Sequence, residues 1–355
     1  IAYYPHPKSC IYKLNSRIIK TNPLILFSEY RAELMGIAII GVLIGHTIIL
    51  GNITINNTFI KFLNIIPRLA FTQGFLFLSG FGLCYSFTKN NNIKQFYLKR
   101  IKRLLIPFII LSAWYYLFQD LIENRNFIGF LMHISSLAFW IEGNYNGMWY
   151  IAISIVLYTI FPLCYKYIHN KRSGYKTALL ILISIVFNIV LEYFQPEYYE
   201  KISIGIEKIP IFILGIYIGS LSLQDKVKKQ YIITSIVIIT IWIISYKTKT
   251  FWGYAYAIYD MTEKLIYMFI ICIFLSMTNK YKIHNYLCKI LTWFGRYSLE
   301  LYVLHLLIFC FLSSNVLGHI NPIIKVNIML FGAIILSMPL HNLIDRLITK
   351  LKLTM

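Results

Sequence analysis

The chain has 355 residues, 58% of them hydrophobic and only 14% charged, and its mean hydropathy of +0.65 excludes an ordinary soluble domain. Its formal charge of +20 would suit a nucleic-acid partner only if the basic residues shared one face, and they do not. The composition is that of an all-α, polytopic integral membrane protein whose partner is the lipid bilayer.

Residues 1–30 form a cytoplasmic N-terminal segment in this reading. They carry Pro5, Pro7 and Pro23 and lack the apolar stretch of a cleavable signal peptide. Residues 31–346 hold ten apolar windows of membrane-crossing length, near 33–51, 69–88, 104–121, 147–168, 176–194, 206–223, 230–246, 262–278, 297–314 and 323–345. Residues 347–355 make a short cytoplasmic tail. Of the 34 Lys and Arg, 25 fall in the N-terminal stretch through Arg31, the even-numbered loops and the C-terminal stretch from Arg346 on. The nine on the other side are Lys61, Arg68, Arg125, Lys201, Lys208, Lys247, Lys249, Lys264 and Lys325. By the positive-inside rule both termini are cytoplasmic. The six cysteines show no CxxC spacing, and most lie in apolar spans, so neither a disulfide nor a metal site is expected.

The first span holds the feature that points to chemistry. His46 sits toward its far end, where hydrocarbon compensates an ionisable group poorly, and such a residue is a functional candidate by default. Arg31 stands at the other end, about 22 Å away at 1.5 Å per residue, and about 60° from His46 in azimuth. Both can face one interior channel, with Met35 between them.

Further along, Ser79 and Gly80 lie in the second span, where small residues serve close helix packing or leave room for a narrow substrate path. Lys99, Arg100, Lys102 and Arg103 stand at the mouth of the third, either anchoring it to anionic lipid or, through Arg100 and Arg103 at i, i+3, forking onto phosphates. Asp120, Glu123, Glu142, Glu192, Glu197 and Asp260 gather at the outer ends of spans, with Trp140, Tyr145, Trp149, Phe251 and Trp252 as aromatic neighbours. They are either solvated and interfacial or part of an acceptor mouth. In the ninth span Ser298, Tyr302 and His305 recur at i, i+4 and i+7 as one polar stripe, which either fixes helix contacts or supports His46. Glu300 points about 140° away from His305.

The run Met35-Gly-Ile-Ala-Ile-Ile-Gly-Val-Leu-Ile-Gly-His46 resembles the first helix of acyltransferase family 3, membrane proteins whose signature there is an Arg, ten residues and a His. Four more segments resemble the same family in order: Gly74-Phe-Leu-Phe-Leu-Ser-Gly-Phe81, Tyr97-Leu-Lys-Arg-Ile-Lys-Arg-Leu-Leu-Ile-Pro107, Met148-Trp-Tyr through Tyr158 and Pro162, and Gly295-Arg-Tyr-Ser-Leu-Glu-Leu-Tyr-Val-Leu-His305. One departure stands out, for Met35 occupies the place of the signature Arg. Arg31, one turn earlier on the same face, is assigned that role.

The resemblance implies transfer of an acyl group, most often acetyl, from cytoplasmic acyl-CoA (acetyl-CoA) to a hydroxyl of a cell-surface polysaccharide or its lipid-linked sugar precursor. It further implies a plasma membrane, most often the bacterial inner one. On this reading His46 is the general base, with Arg31, Tyr302 and His305 in the catalytic set. Arg100 and Arg103 bind the coenzyme A phosphates, and Ser79 and Gly80 line the path of its thioester arm. The competing expectation is a proton-coupled transporter or exporter of a glycan or polar lipid.

Overall fold

The structure, a computed structural model, describes residues 22–53, 65–143, 147–169, 173–223, 228–248, 253–314, 317 and 319–350. Lys61, Tyr145, Lys249, Phe251 and Trp252, named above, lie outside the described residues, as do most of the N-terminal segment and the end of the tail.

The described residues form an all-α polytopic membrane protein with no strand. Its helices are α1 (Arg31–Leu50), α2 (Ile65–Lys89), α3 (Ile93–Glu123), α4 (Phe127–Ile134), α5 (Ala138–Glu142), α6 (Trp149–Ile168), α7 (Ser173–Phe194), α8 (Pro196–Ile206), α9 (Ile209–Ser222), α10 (Lys228–Thr248), α11 (Gly253–Thr278), α12 (Lys282–Arg296), α13 (Ser298–Leu312) and α14 (Pro322–Lys350). Among the described residues eight helical segments are long and apolar enough to cross a bilayer, and nine if the bent pair α12–α13 counts as one span. The predicted seventh span, 230–246, is α10, whose apolar part is the shorter stretch Ile236–Lys247.

Three boundaries differ from the sequence reading for identifiable reasons. The third helix begins at Ile93, because Asn92 caps it by accepting from the Gln95 amide at 3.0 Å. It carries the basic segment as helix and widens into a π-turn at Ile101–Leu105. Pro107 stands two residues beyond it, and a proline ring cannot donate to, and crowds, the carbonyl four residues back. The sixth span is a pair, α8 and α9, each opened by a proline near its start. The ninth is only fifteen residues long, and residues 282–296, a loop by hydropathy, form α12, which meets α13 at 63°.

A further difference concerns the N-terminal segment. Its last residues form a 3₁₀ turn (Pro23–Ile25) and a short helix (Leu26–Glu29), with Leu24, Leu26 and Phe27 buried. The Phe27 ring contacts Phe77, Phe81 and Phe269 at 5.1–5.9 Å, and the Asn22 side chain donates to the Leu221 and Ser222 carbonyls at 3.3 Å. This stretch is a plug in the bundle, tied to α2, α9 and α11.

At the centre is α2, whose apolar window is 80% buried inside the protein. It packs on α1, α6, α9 and α11, and the α2–α9 crossing is backbone on backbone. A Cβ on Gly80 would strike the Phe212 carbonyl, one on Gly215 the Phe77 carbonyl, and one on Gly219 would sit 3.0 Å from the Phe81 carbonyl. A second such crossing joins α1 to α12, where a Cβ on Gly36 would strike the Leu291 carbonyl and one on Gly295 the Ala32 carbonyl. These contacts hold α1 against the α12–α13 pair, and so place the first and ninth predicted spans side by side.

Candidate functional site

His46 lies one turn before the C-terminal end of α1, and His305 lies midway along α13, fully buried. The residues are 259 apart in sequence, yet His46 Nδ1 is 2.8 Å from His305 Nε2, and the rings stack at 5.1 Å and 23°. The second nitrogen of His305 fixes the proton positions. Its Nδ1 is 2.8 Å from the Leu301 carbonyl, one turn back on α13. A carbonyl can only accept, so Nδ1 carries the proton, and the Nε2 of a neutral imidazole is then an acceptor. His46 Nδ1–H therefore donates to it, and the lone pair of His46 resides on Nε2. A backbone carbonyl thus selects, through His305, the tautomer of His46 that a base requires.

The rest of the stripe on α13 is arranged around this pair. The Tyr302 ring lies 5.9 Å from His305 and 5.3 Å from Tyr150 on α6, and its hydroxyl donates to the Gly147 carbonyl. That proton is committed to the turn before α6, so Tyr302 braces His305 and the α6 entrance. Ser298 is buried near the start of α13. Glu300 faces away, as its azimuth requires, and accepts from His341 Nδ1 at 2.7 Å.

Arg31 turns into the bundle. Its Nε donates to the Leu78 carbonyl of α2 at 3.2 Å. The guanidinium lies on Gly82, where a Cβ would come within 2.6 Å of Cζ and Nε. Gly82 is thus the seat for Arg31, whereas Gly80, one residue before Phe81, serves the α9 crossing. One turn from Gly82 along α2, the buried Ser79 accepts from the Tyr158 hydroxyl at 3.4 Å and also interacts with Tyr150.

The two arginines expected to act as a pair sit in different surroundings. Arg100 is half-buried, with its guanidinium 5.4 Å from the centre of the Phe96 ring and 5.9 Å from that of Tyr158. Arg103 is exposed. The π-turn between them is the cause, because i, i+3 neighbours no longer share a face when a turn holds more than 3.6 residues. In the sequence Tyr150 and Tyr158 stand only as part of a motif, with no role assigned; Tyr158 links Arg100 to Ser79, and Tyr150 continues from Ser79 to Tyr302. A continuous line of polar and aromatic side chains thus joins Arg100, near the start of α3, to the His305–His46 pair. The signal that could have given the two tyrosines a role is their spacing: at i and i+8 on α6, with Ser154 halfway between, they form a polar stripe along a mostly apolar helix.

Among the described residues no group of three or more His, Cys, Asp or Glu is arranged to hold a metal ion. Residues 34–342 match the acyltransferase domain of the acyltransferase family 3 profile. No curated protein and no solved structure matches the chain.

Proposed function

Because the chain belongs to acyltransferase family 3 and is a membrane acyltransferase, we propose that it moves an acyl group, acetyl by preference, from acyl-CoA to a sugar hydroxyl of a cell-surface polysaccharide or its lipid-linked precursor. The observation that carries this reading is the His46–His305 hydrogen bond, which leaves the His46 lone pair on Nε2.

In the proposed reaction Nε2 of His46 takes the proton of the acceptor hydroxyl as that oxygen attacks the thioester carbonyl. The tetrahedral intermediate collapses with rupture of the C–S bond, and the coenzyme A thiolate leaves with the proton returned from His46. The imidazolium formed in between keeps its Nδ1–H bonded to His305 Nε2, which holds the ring in plane through the proton transfer. Arg31, seated on Gly82 beside Ser79, supplies positive charge along the path of the thioester and stands in for the arginine that the family carries at the Met35 position. Arg103, exposed three residues further along α3, is suited to the coenzyme A phosphates, while Arg100 is half-buried against Tyr158, where the arm would enter.

The loop charges support a cytoplasmic donor and cytoplasmic termini. On that topology His46, near the end of α1, is closer to the outer face, and a bacterial inner membrane fits a surface glycan acceptor. The test is release of coenzyme A from acetyl-CoA in the presence of glycan acceptors, followed with a thiol reagent on purified wild type and His46→Ala. Loss of release in folded His46→Ala is expected. Undiminished release from that variant removes His46 from the mechanism, and absence of release from the wild type with every acyl-CoA and acceptor returns the choice to transport.

A further inference from the structure

We propose that α12 lies along the surface of the bilayer on the side of the basic loops, rather than forming half of a spanning helix, and binds the headgroups of anionic phospholipids there. That side is cytoplasmic in the topology given above, and only its name rests on that reading. The fifteen residues Lys282–Arg296 present three faces about 120° apart at 100° per residue. His284, Cys288, Leu291 and Gly295 make the inward face: Leu291 and Gly295 form the backbone crossing with α1, and the His284 ring meets Tyr30 at 6.3 Å. Ile283, Tyr286, Leu287 and Ile290 make an apolar stripe left outside the protein, with Ile283 74%, Tyr286 69% and Ile290 56% exposed. Lys282, Lys289 and Arg296, recurring every seven residues and all exposed, make the third face.

Three such faces belong to a helix at an interface, with the bundle on one side, acyl chains on the second and headgroups on the third. A crossing α12 would spread its three cations over about 21 Å of depth along one exposed face. At least the middle one would then stand in hydrocarbon, where nothing compensates it. A surface helix sets all three at headgroup level. The bend of 63° into α13 has that effect, since it swings α12 from the direction of the spanning helix most of the way toward the bilayer plane.

Charge selects the partner. α12 contains no Asp or Glu, and Lys280 just before it lies 5.4 Å from the centre of the Tyr281 ring. Among the described residues Lys280, Lys282 and Lys289 take part in no ion pair. Cations at headgroup level attract anionic lipid, and Tyr281 and Tyr286 are of the type that settles at that depth. Because α12 abuts α1 and leads into α13, the lipid that holds it bears on the two helices that bring His46 to His305.

The test uses the full chain. A fluorescent amino acid is introduced at Ile283 or at Ile290, which share the apolar stripe, and its depth in nanodiscs is read by quenching with lipids brominated at different chain positions. Seven residues along a helix at 63° to the bilayer normal differ in depth by about 5 Å, against about 10 Å along an upright one. A difference of about 5 Å or less is expected, and any larger one overturns the proposal. Native mass spectrometry then compares retention of phosphatidylglycerol and phosphatidylcholine. The wild type is expected to retain phosphatidylglycerol preferentially. Lys282→Gln combined with Lys289→Gln should lower that occupancy five-fold or more at an unchanged unfolding temperature, while Lys89→Gln with Lys94→Gln, an exposed basic pair on the same side, should not. An equal response of the two pairs, or no preference for phosphatidylglycerol, refutes a site on α12.

Discussion

Replacing His305 separates a base that is merely present from one held in its working tautomer. His305→Ala removes the acceptor of the His46 Nδ1–H bond, 2.8 Å long and closed to water on the His305 side. Leaving one buried donor without its acceptor costs about 1–3 kcal/mol, and each ~1.4 kcal/mol is tenfold in rate. If that loss falls on the transition state, kcat for acyl transfer drops about 5- to 150-fold. His46→Ala, which removes the base itself, forfeits about 10²- to 10⁴-fold. His305→Gln discriminates further, because its amide oxygen can accept from His46 Nδ1 without the link to Leu301, and it should recover part of the loss. The assay is steady-state coenzyme A release under saturating donor, on variants matched for thermal unfolding and monodispersity. Full activity in His305→Ala, or His305→Gln no better than His305→Ala, would refute the tautomer argument.

Gly82→Ala should place a methyl against the Arg31 guanidinium, a flexible end that can shift, so activity is expected to fall toward that of Arg31→Gln with little change in unfolding temperature. Gly80→Ala meets the rigid Phe212 carbonyl instead, and by overpacking the α2–α9 crossing should lose about 1–3 kcal/mol of stability, visible as a lowered unfolding temperature. Arg103→Gln is expected to raise KM for acetyl-CoA about tenfold, as loss of a charge-assisted phosphate contact would, and to abolish discrimination against dephospho-coenzyme A as inhibitor, whereas Arg100→Gln should act mainly on kcat through Tyr158. Glu142→Cys in intact cells should react with a membrane-impermeant maleimide while Lys102→Cys should not, and the opposite pattern would invert the topology.

How much of this is legible in the sequence depends on range. The hydrophobic runs are local, and each of the predicted spans falls on helical structure, though the sixth is divided between α8 and α9 and the seventh and ninth are shorter than predicted. His46 is conspicuous because a single ionisable residue in an apolar helix is a local anomaly. The i, i+4, i+7 stripe on α13 is equally visible, but its meeting with His46 is not: the contact depends on Gly36 and Gly295, which look like ordinary small residues until their helices cross. Arg100 and Arg103 differ in exposure across the π-turn that precedes Pro107, a widening that a uniform 100° per residue cannot foresee. His133 escapes a reading of the long spans although it is the one ionisable residue in the apolar helix Phe127–Ile134, the same kind of anomaly as His46 on a shorter element. Its partner Asp120 reads as solvated, since nothing local shows that α4 folds back over the end of α3.

The central position of α2 bears on how the protein is made. Its apolar window has a mean hydropathy of 1.2, lower than that of any other spanning segment, and it carries Thr72, Gln73 and Ser79 inward. A helix of that kind gains little from lipid alone and much from its neighbours. Those neighbours arrive late: α9 begins about 120 residues after α2 ends, and α11, whose Asp260 accepts from Gln73, later still. During synthesis α2 must therefore be shielded by α1, by the Phe27 plug or by the insertion machinery until the second half of the chain emerges. Substitutions that make α2 greasier should ease this waiting period and raise yield, at the expense of the polar contacts that the finished bundle uses.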